Sequence, residues 1–238
     1  MQTFTQISTI DALMAGCYDG VMPVKTLHQY GNFGIGAYER VDGELVMLND
    51  TLFQILADGR AKTTQLPDST PYAAVIRFKP DRSAALNGPM TLDSLKARLA
   101  AAFPNKNLFY AVRVEGIFKS VTTRSVPPQS KPYAPLADVL AAQQIIIKTE
   151  NITGTVVGLY CPAFMKNLNV PGFHLHFVSG DRKTGGHLFD GVLSSGQFDV
   201  QACAQFRMIL PESGEGFGSA DLSRDRSDEM EKVIREPK

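Results

Sequence analysis

Apolar and polar positions alternate in short runs along most of this chain, and the period lengthens to that of a helix at only a few places. Near the amino terminus the pattern predicts a short helix with Ser8 as cap and Asp11 three residues on, stopping near Gly16. A second is predicted from about Val24 to Tyr30, ended by Gly31. Apolar runs separated by Asp42-Gly43, Asn49-Asp50 and Asp58-Gly59 then predict a β-meander from Phe33 to Thr64, because these dipeptides accept the positive φ angles of tight hairpins. The meander is predicted to continue into Tyr72 to Phe78.

A capped helical pattern follows over Thr91 to Leu99. Next, Phe109 to Val114 and Ile117 to Thr123 predict a strand pair around Glu115-Gly116. The Pro-rich stretch Val126 to Tyr133 and a short helix near Leu136 to Gln143 mark a boundary between two units, 1–134 and 135–238. Beyond it lie Ile145 to Ile147, Thr155 to Leu159, a histidine-bearing segment, Leu188 to Leu193 and Phe198 to Leu210. All are strand-like and broken by Asn, Gly and Ser, a spacing that predicts a small barrel or curled sheet. The fold class is therefore α+β: a mixed-sheet amino-terminal unit, then a smaller β-barrel-like unit. The polar stretch Asp221 to Lys238 reads as a terminal helix laid over the site or as a frayed tail.

Composition narrows the function. Lys plus Arg equals Asp plus Glu at 24 each, so no overall field attracts nucleic acid or an anionic membrane. No segment is long and apolar enough to span a bilayer, and the amino terminus lacks the charged start and apolar run of a signal peptide, so a cytoplasmic protein is expected. Cys17, Cys161 and Cys203, far apart and odd in number, fit a reducing compartment better than a disulfide framework.

Three of the four histidines fall between His174 and His187. On a strand, His174 and His176 share one face while Phe173, Leu175 and Phe177 share the other. The turn formers from Gly180 to Gly186 allow the chain to reverse and bring His187 back toward the same pocket. Three neutral imidazoles with no cysteine nearby suit zinc, and a three-ligand set leaves room for water or substrate, as catalytic sites do. Independent placement of all three as ordinary strand residues is the alternative.

Two polar residues stand out in apolar or turn-defined surroundings. Glu44 follows the Asp42-Gly43 turn, where a carboxylate can enter a pocket as general acid or base. Arg124 closes a strand, where a guanidinium can fork onto a carboxylate. The bland reading of both is a solvated surface position. Arg113 and Glu115 read as a structural ion pair and His28 as an ordinary helix-face residue. Gly31, Gly34 and Gly36 lack the helix and Lys-Ser or Lys-Thr of a phosphate loop and read as turn and strand-approach glycines. A serine hydrolase is disfavoured by the absence of a Gly-x-Ser-x-Gly elbow.

With these segments laid out, the chain resembles the α-acetolactate decarboxylases over nearly its full length. The resemblance rests on Ile7 to Gly20, on Gly31-Asn32-Phe33-Gly34-Ile35-Gly36 leading to Asp42-Gly43-Glu44, and on Thr123-Arg124-Ser125-Val126-Pro127 with Pro132-Tyr133. Its strongest block is Gly172 to Phe177 with Asp181-Arg182 and Gly185-Gly186-His187-Leu188. It implies zinc held by His174, His176 and His187, with Glu44 and Arg124 beside the metal as acid-base and carboxylate-handling residues. It also implies two domains, a homodimer, and the conversion of 2-acetolactate to acetoin and carbon dioxide through a zinc-stabilised enediolate. The chain departs from the family pattern at Ala37, where a threonine is usual. It departs again near the carboxyl terminus, where ungapped alignment puts Ile234 in place of a glutamate that Glu236, or Glu231, supplies after a small shift. The rival readings are a non-catalytic metal-binding sensor domain and a zinc hydrolase.

Overall fold

Asn49 and Asp50 both adopt positive φ, 50° and 62°. A two-residue type I′ turn requires this geometry, and it locks strand β4 (Glu44–Leu48) against β5 (Thr51–Ile55) with Leu48 opposite Thr51. The computed structural model, which describes residues 2–64, 68–212 and 215–234, builds its first sheet outward from this hairpin. Its other strands are β1 (Thr3–Ile7), β3 (Phe33–Ala37), β6 (Ala61–Thr63), β8 (Tyr72–Ile76) and β15 (Gln205–Ile209), in the order β15-β1-β8-β3-β4-β5-β6. Only β1 and β15 run parallel in this sheet, so it is mixed. A separate two-stranded ladder joins β2 (Met22–Pro23) to β7 (Ser69–Thr70).

The second sheet contains β9 (Arg82–Leu86), β10 (Met90–Thr91), β11 (Phe109–Ser125), β12 (Ile145–Cys161), β13 (Gly172–Ser179) and β14 (Gly185–Cys203). β14 pairs with β11, β11 with β12, β12 with β13, and β13 again with β14, all antiparallel. Besides three short 3-10 helices, the described chain has five α-helices: α1 (Ile10–Met14), α2 (Leu92–Ala100), α3 (Leu136–Gln143), α4 (Glu215–Ser219) and α5 (Ser227–Ile234). Thr91 caps α2 by accepting from the Ser94 amide, and Leu92, Leu95 and Leu99 bury one helical face among the apolar residues of β11 to β14.

A second core lies between the two sheets. Ile35, Val46, Ile55 and Ala74 of the first meet Ala111, Val157 and Val178 of the second. The far face of the first sheet is covered by Val24 and Leu27 of a 3-10 helix, Val24–Gln29. A third cluster brings α1, α3 and α5 together over the end of the intersheet space.

Several local expectations change. The first helix is capped by Thr9, whose hydroxyl accepts from the Ala12 amide, rather than by Ser8, which takes positive φ. The second is a 3-10 helix. β8 does not extend the meander past β6; it crosses to pair with β3 and β1. The two strands expected around Gly116 are one 17-residue strand, β11. Gly116 faces Gly154 and Gly196, and a Cβ there would lie 2.4 Å from the Ser195 carbonyl oxygen, so this glycine serves close strand approach and not a turn. Arg113 pairs with Asp199 at 2.7 Å, not with Glu115. Position 134/135 falls between β11 and α3, and five strand pairs span it: β1 with β15, β11 with β12, and β9, β10 and β11 with β14.

Candidate metal centre and substrate cavity

The histidines converge because of strand register. His174 and His176 lie two apart on β13, and His187 on β14 sits directly opposite His176. Phe173, Leu175 and Phe177 pack on the other face with the α2 core, as alternation requires. Across β14, His187 is itself opposite Arg124 of β11, so Arg124, His187 and His176 form one row over three neighbouring strands. The three imidazoles offer ligand atoms within 4.8 Å of one another.

A matching row stands on the first sheet. Register places Tyr72 of β8 opposite Ala37 of β3, and Ala37 opposite Glu44 of β4. Glu44 begins its strand after Gly43, whose φ of 75° makes the turn. Its Oε2 lies 3.5 Å from His176 Nε2, which joins the two rows. Gly34 and Gly36 make the approach of β8 possible: a Cβ on either would come within 2.4 Å of a backbone oxygen.

The site favours neutral imidazoles. Burial lowers the basicity of all three histidines, with the Arg124 charge adding to the effect; His174 is brought to about 4 and the other two fall well below the usual value. Burial raises the Glu44 carboxyl to about 7, against the opposing pull of Arg124. The same burial lowers the Arg124 guanidinium, and Glu44 partly restores it. A carbonyl only accepts, so His176 Nδ1 carries hydrogen and donates to Leu45 O at 3.1 Å. That tautomer leaves Nε2 with a lone pair, buried and, among the described residues, without a hydrogen-bond partner, facing Glu44. An orphaned lone pair with two neighbouring imidazoles fits a bound divalent ion.

A cavity of about 90 Å³ opens on both rows, lined by Glu44, Arg124, His174, His187 and Tyr72. At roughly 10–15 Å³ per water-sized group, it suits a molecule of fewer than about ten heavy atoms, not a nucleotide. Apart from Lys96, its remaining wall is apolar and includes Leu13, Val126, Leu140 and Val233. Val233 belongs to α5 and its carbonyl accepts a short hydrogen bond from Arg124 Nη2. Of the residues singled out in the sequence, Glu44, Arg124 and the three histidines thus meet in one place. His28 lies elsewhere, its Nδ1 3.9 Å from Asp50. Glu231 lies on the exposed side of α5, and Glu236 falls outside the described residues.

Sequence reasoning missed Tyr72 and the two backbone acceptors, Leu45 and Val233. A single phenol in the apolar run Tyr72 to Ile76 was the available signal for the first. Carbonyls carry no signal in a sequence.

A family model described as alpha-acetolactate decarboxylase matches residues 4–224. An alpha-acetolactate decarboxylase of Methanosarcina mazei is 42% identical over 228 residues, covering 96% of this chain and 78% of that protein. Another, from Bacillus subtilis, is 35% identical over 214 residues, covering 90% and 84%. The crystal structure of alpha-acetolactate decarboxylase from Bacillus subtilis superposes with a TM-score of 0.95 at 33% identity, over 98% of this chain and 100% of that one.

Proposed function

Because the chain belongs to the alpha-acetolactate decarboxylase family, we propose that its cavity converts 2-acetolactate to acetoin and carbon dioxide with the residues of the two facing rows. The protein is a carboxy-lyase, and the meeting of Glu44, Arg124 and three neutral histidines in one small cavity is the observation that carries the reading.

His174, His176 and His187 hold the metal, which we assign as zinc from the all-imidazole donor set. When bound, zinc supplies Lewis acidity toward the vicinal hydroxyl and ketone oxygens and the negative charge left on them as carbon dioxide departs. Arg124, fixed by the Val233 carbonyl, donates to the substrate carboxylate and orients the breaking carbon–carbon bond. Decarboxylation consumes one proton. Glu44, with its carboxyl raised to about 7, delivers that proton from Oε2 to the carbon that has lost carbon dioxide and is recharged from solvent. Leu13, Val126 and Leu140 exclude bulk water from the carbanionic centre. Glu236, two positions beyond α5 in the sequence, is our third candidate carboxylate.

We read the ring β11-β12-β13-β14 as the barrel-like unit and the assembly as a homodimer. The three free cysteines suit a reducing compartment, and we assign the protein to the cytoplasm. The test is acetoin formation from racemic 2-acetolactate by purified protein before metal removal, after it, and after zinc is restored. Activity lost and regained with zinc is expected. A folded, zinc-loaded protein that makes no acetoin but cleaves esters, or none of these, would overturn the reading in favour of a hydrolase or a sensor.

A further inference from the structure

One polar group of the cavity has no part in the reaction as derived above. Tyr72 is 1% exposed and lines the cavity beside Glu44 and Arg124. Its hydroxyl is buried without a hydrogen-bond partner among the described residues. Every other side chain of its cluster that faces this region is apolar, among them Ile10, Leu13 and Val41. Buried hydroxyls are almost always paired, so an orphan in a binding cavity points to a ligand that completes it.

Register says where that ligand lies. Tyr72, Ala37 and Glu44 are direct neighbours on β8, β3 and β4, so their side chains rise from one face with a single methyl group between phenol and carboxylate. Adjacent strands are about 4.8 Å apart, which sets Tyr72 and Glu44 roughly 10 Å apart at their bases. Ala37 lines the cavity too, so the space between the two bases belongs to it. Burial also keeps the phenol protonated, well above its usual range, so it is available as a donor at any working pH.

We propose that the Tyr72 hydroxyl binds substrate, donating a hydrogen bond to the carboxylate that Arg124 also contacts. The assignment rests on the decarboxylase reading. A neutral donor and a cation on one carboxylate hold it in a fixed plane, which Arg124 alone, with one nitrogen committed to Val233, does less completely.

The test is Tyr72→Phe in the full chain, with wild type assayed alongside. Loss of a hydrogen bond to a charged group is expected to raise KM for 2-acetolactate about tenfold or more, with a smaller change in kcat. Inhibition by acetoin, which lacks the carboxylate, should not change. The Tm of the metal-free variant should equal or exceed that of wild type, because phenylalanine removes an unpaired buried group without opening a cavity. A KM within about twofold of wild type, a parallel weakening of acetoin inhibition, or a lowered Tm would each overturn the assignment, the last by revealing a structural hydrogen bond. Wild type that makes no acetoin would instead overturn the decarboxylase reading, and this proposal with it.

Discussion

The cavity has walls of two kinds, and they are held in place differently. On one side stand strands: Arg124, His187 and His176 on β11, β14 and β13 face Glu44 and Tyr72 on β4 and β8. All but Tyr72, whose strand meets β1 only from Ala73 onward, are fixed by ladders on both flanks, so their direction follows from register alone. On the other side is α5, eight residues long, which is tied down by few contacts. Arg226, just before it, makes a buried 2.7 Å ion pair with Asp11 of α1 and donates to the Asp221 carbonyl. Met230 and Val233, three apart on one helical face, pack against the α1 and α3 cluster, and the Val233 carbonyl meets Arg124. The comparison teaches that the groups needing fixed geometry sit where the backbone over-determines them, whereas the covering wall depends on individual side chains.

That contrast can be broken at graded cost. The largest effect is expected from His176→Ala, which removes the central ligand: metal affinity should fall by well over a hundredfold, since loss of mere outer-sphere partners already costs about 10–100-fold. Elemental analysis after dialysis, together with acetoin assays, checks it, and a variant that retains both metal and activity refutes the ligand assignment. Next comes Glu44→Gln, expected to keep metal while kcat drops about 10²- to 10⁴-fold, the usual worth of a positioned acid. Arg226→Ala leaves Asp11 buried without its partner, and breaking such a pair costs roughly 3 kcal/mol; urea unfolding should register that loss. Limited proteolysis should then cut near α5 sooner while the histidines still bind metal. The smallest effect belongs to Val233→Ala. It removes two buried carbons, about 1.6 kcal/mol of transfer free energy, but keeps the carbonyl that Arg124 uses, so turnover should change little. A large kcat loss there would mean that the side chain, not the carbonyl, shapes the site.

Local elements were the legible part of this fold. α3 spans Leu136–Gln143 as its pattern predicted, Thr91 caps α2, and Asn49-Asp50 turns a hairpin, because each depends on neighbours within a few residues. Long strands were read as pairs of short ones. Gly116 in β11 and Asn151 in β12 look like turn residues in sequence, but Gly116 is regularly paired on both sides and Asn151, at φ 50°, is a strand irregularity. The parallel pairing of Thr3 with Gln205 left no trace, since nothing local distinguishes a strand's partner some two hundred residues away. In the site, residue types announced the histidines, and alternation set the direction of two. The placement of His187 against His176, and of Tyr72 and Glu44 on either side of Ala37, belongs to register, which a single sequence does not encode locally.

The first half of β12 has a practical consequence for handling the protein. From Ile145 to Ile152 it is bonded to β11, whereas bonding on its other side begins only at Thr153, whose carbonyl accepts from the Gly180 amide, so among the described residues one edge stays open there. Ile145 and Ile146 are 43% and 41% exposed beside it. Lys148 and Glu150 interrupt the run as gatekeepers, but they carry opposite signs, and the whole chain has a formal net charge of zero at pH 7. Near neutrality, then, little long-range repulsion keeps such edges from meeting. Solubility should pass through a minimum there, and concentrated stocks should stay clear longest in buffers well removed from neutral pH.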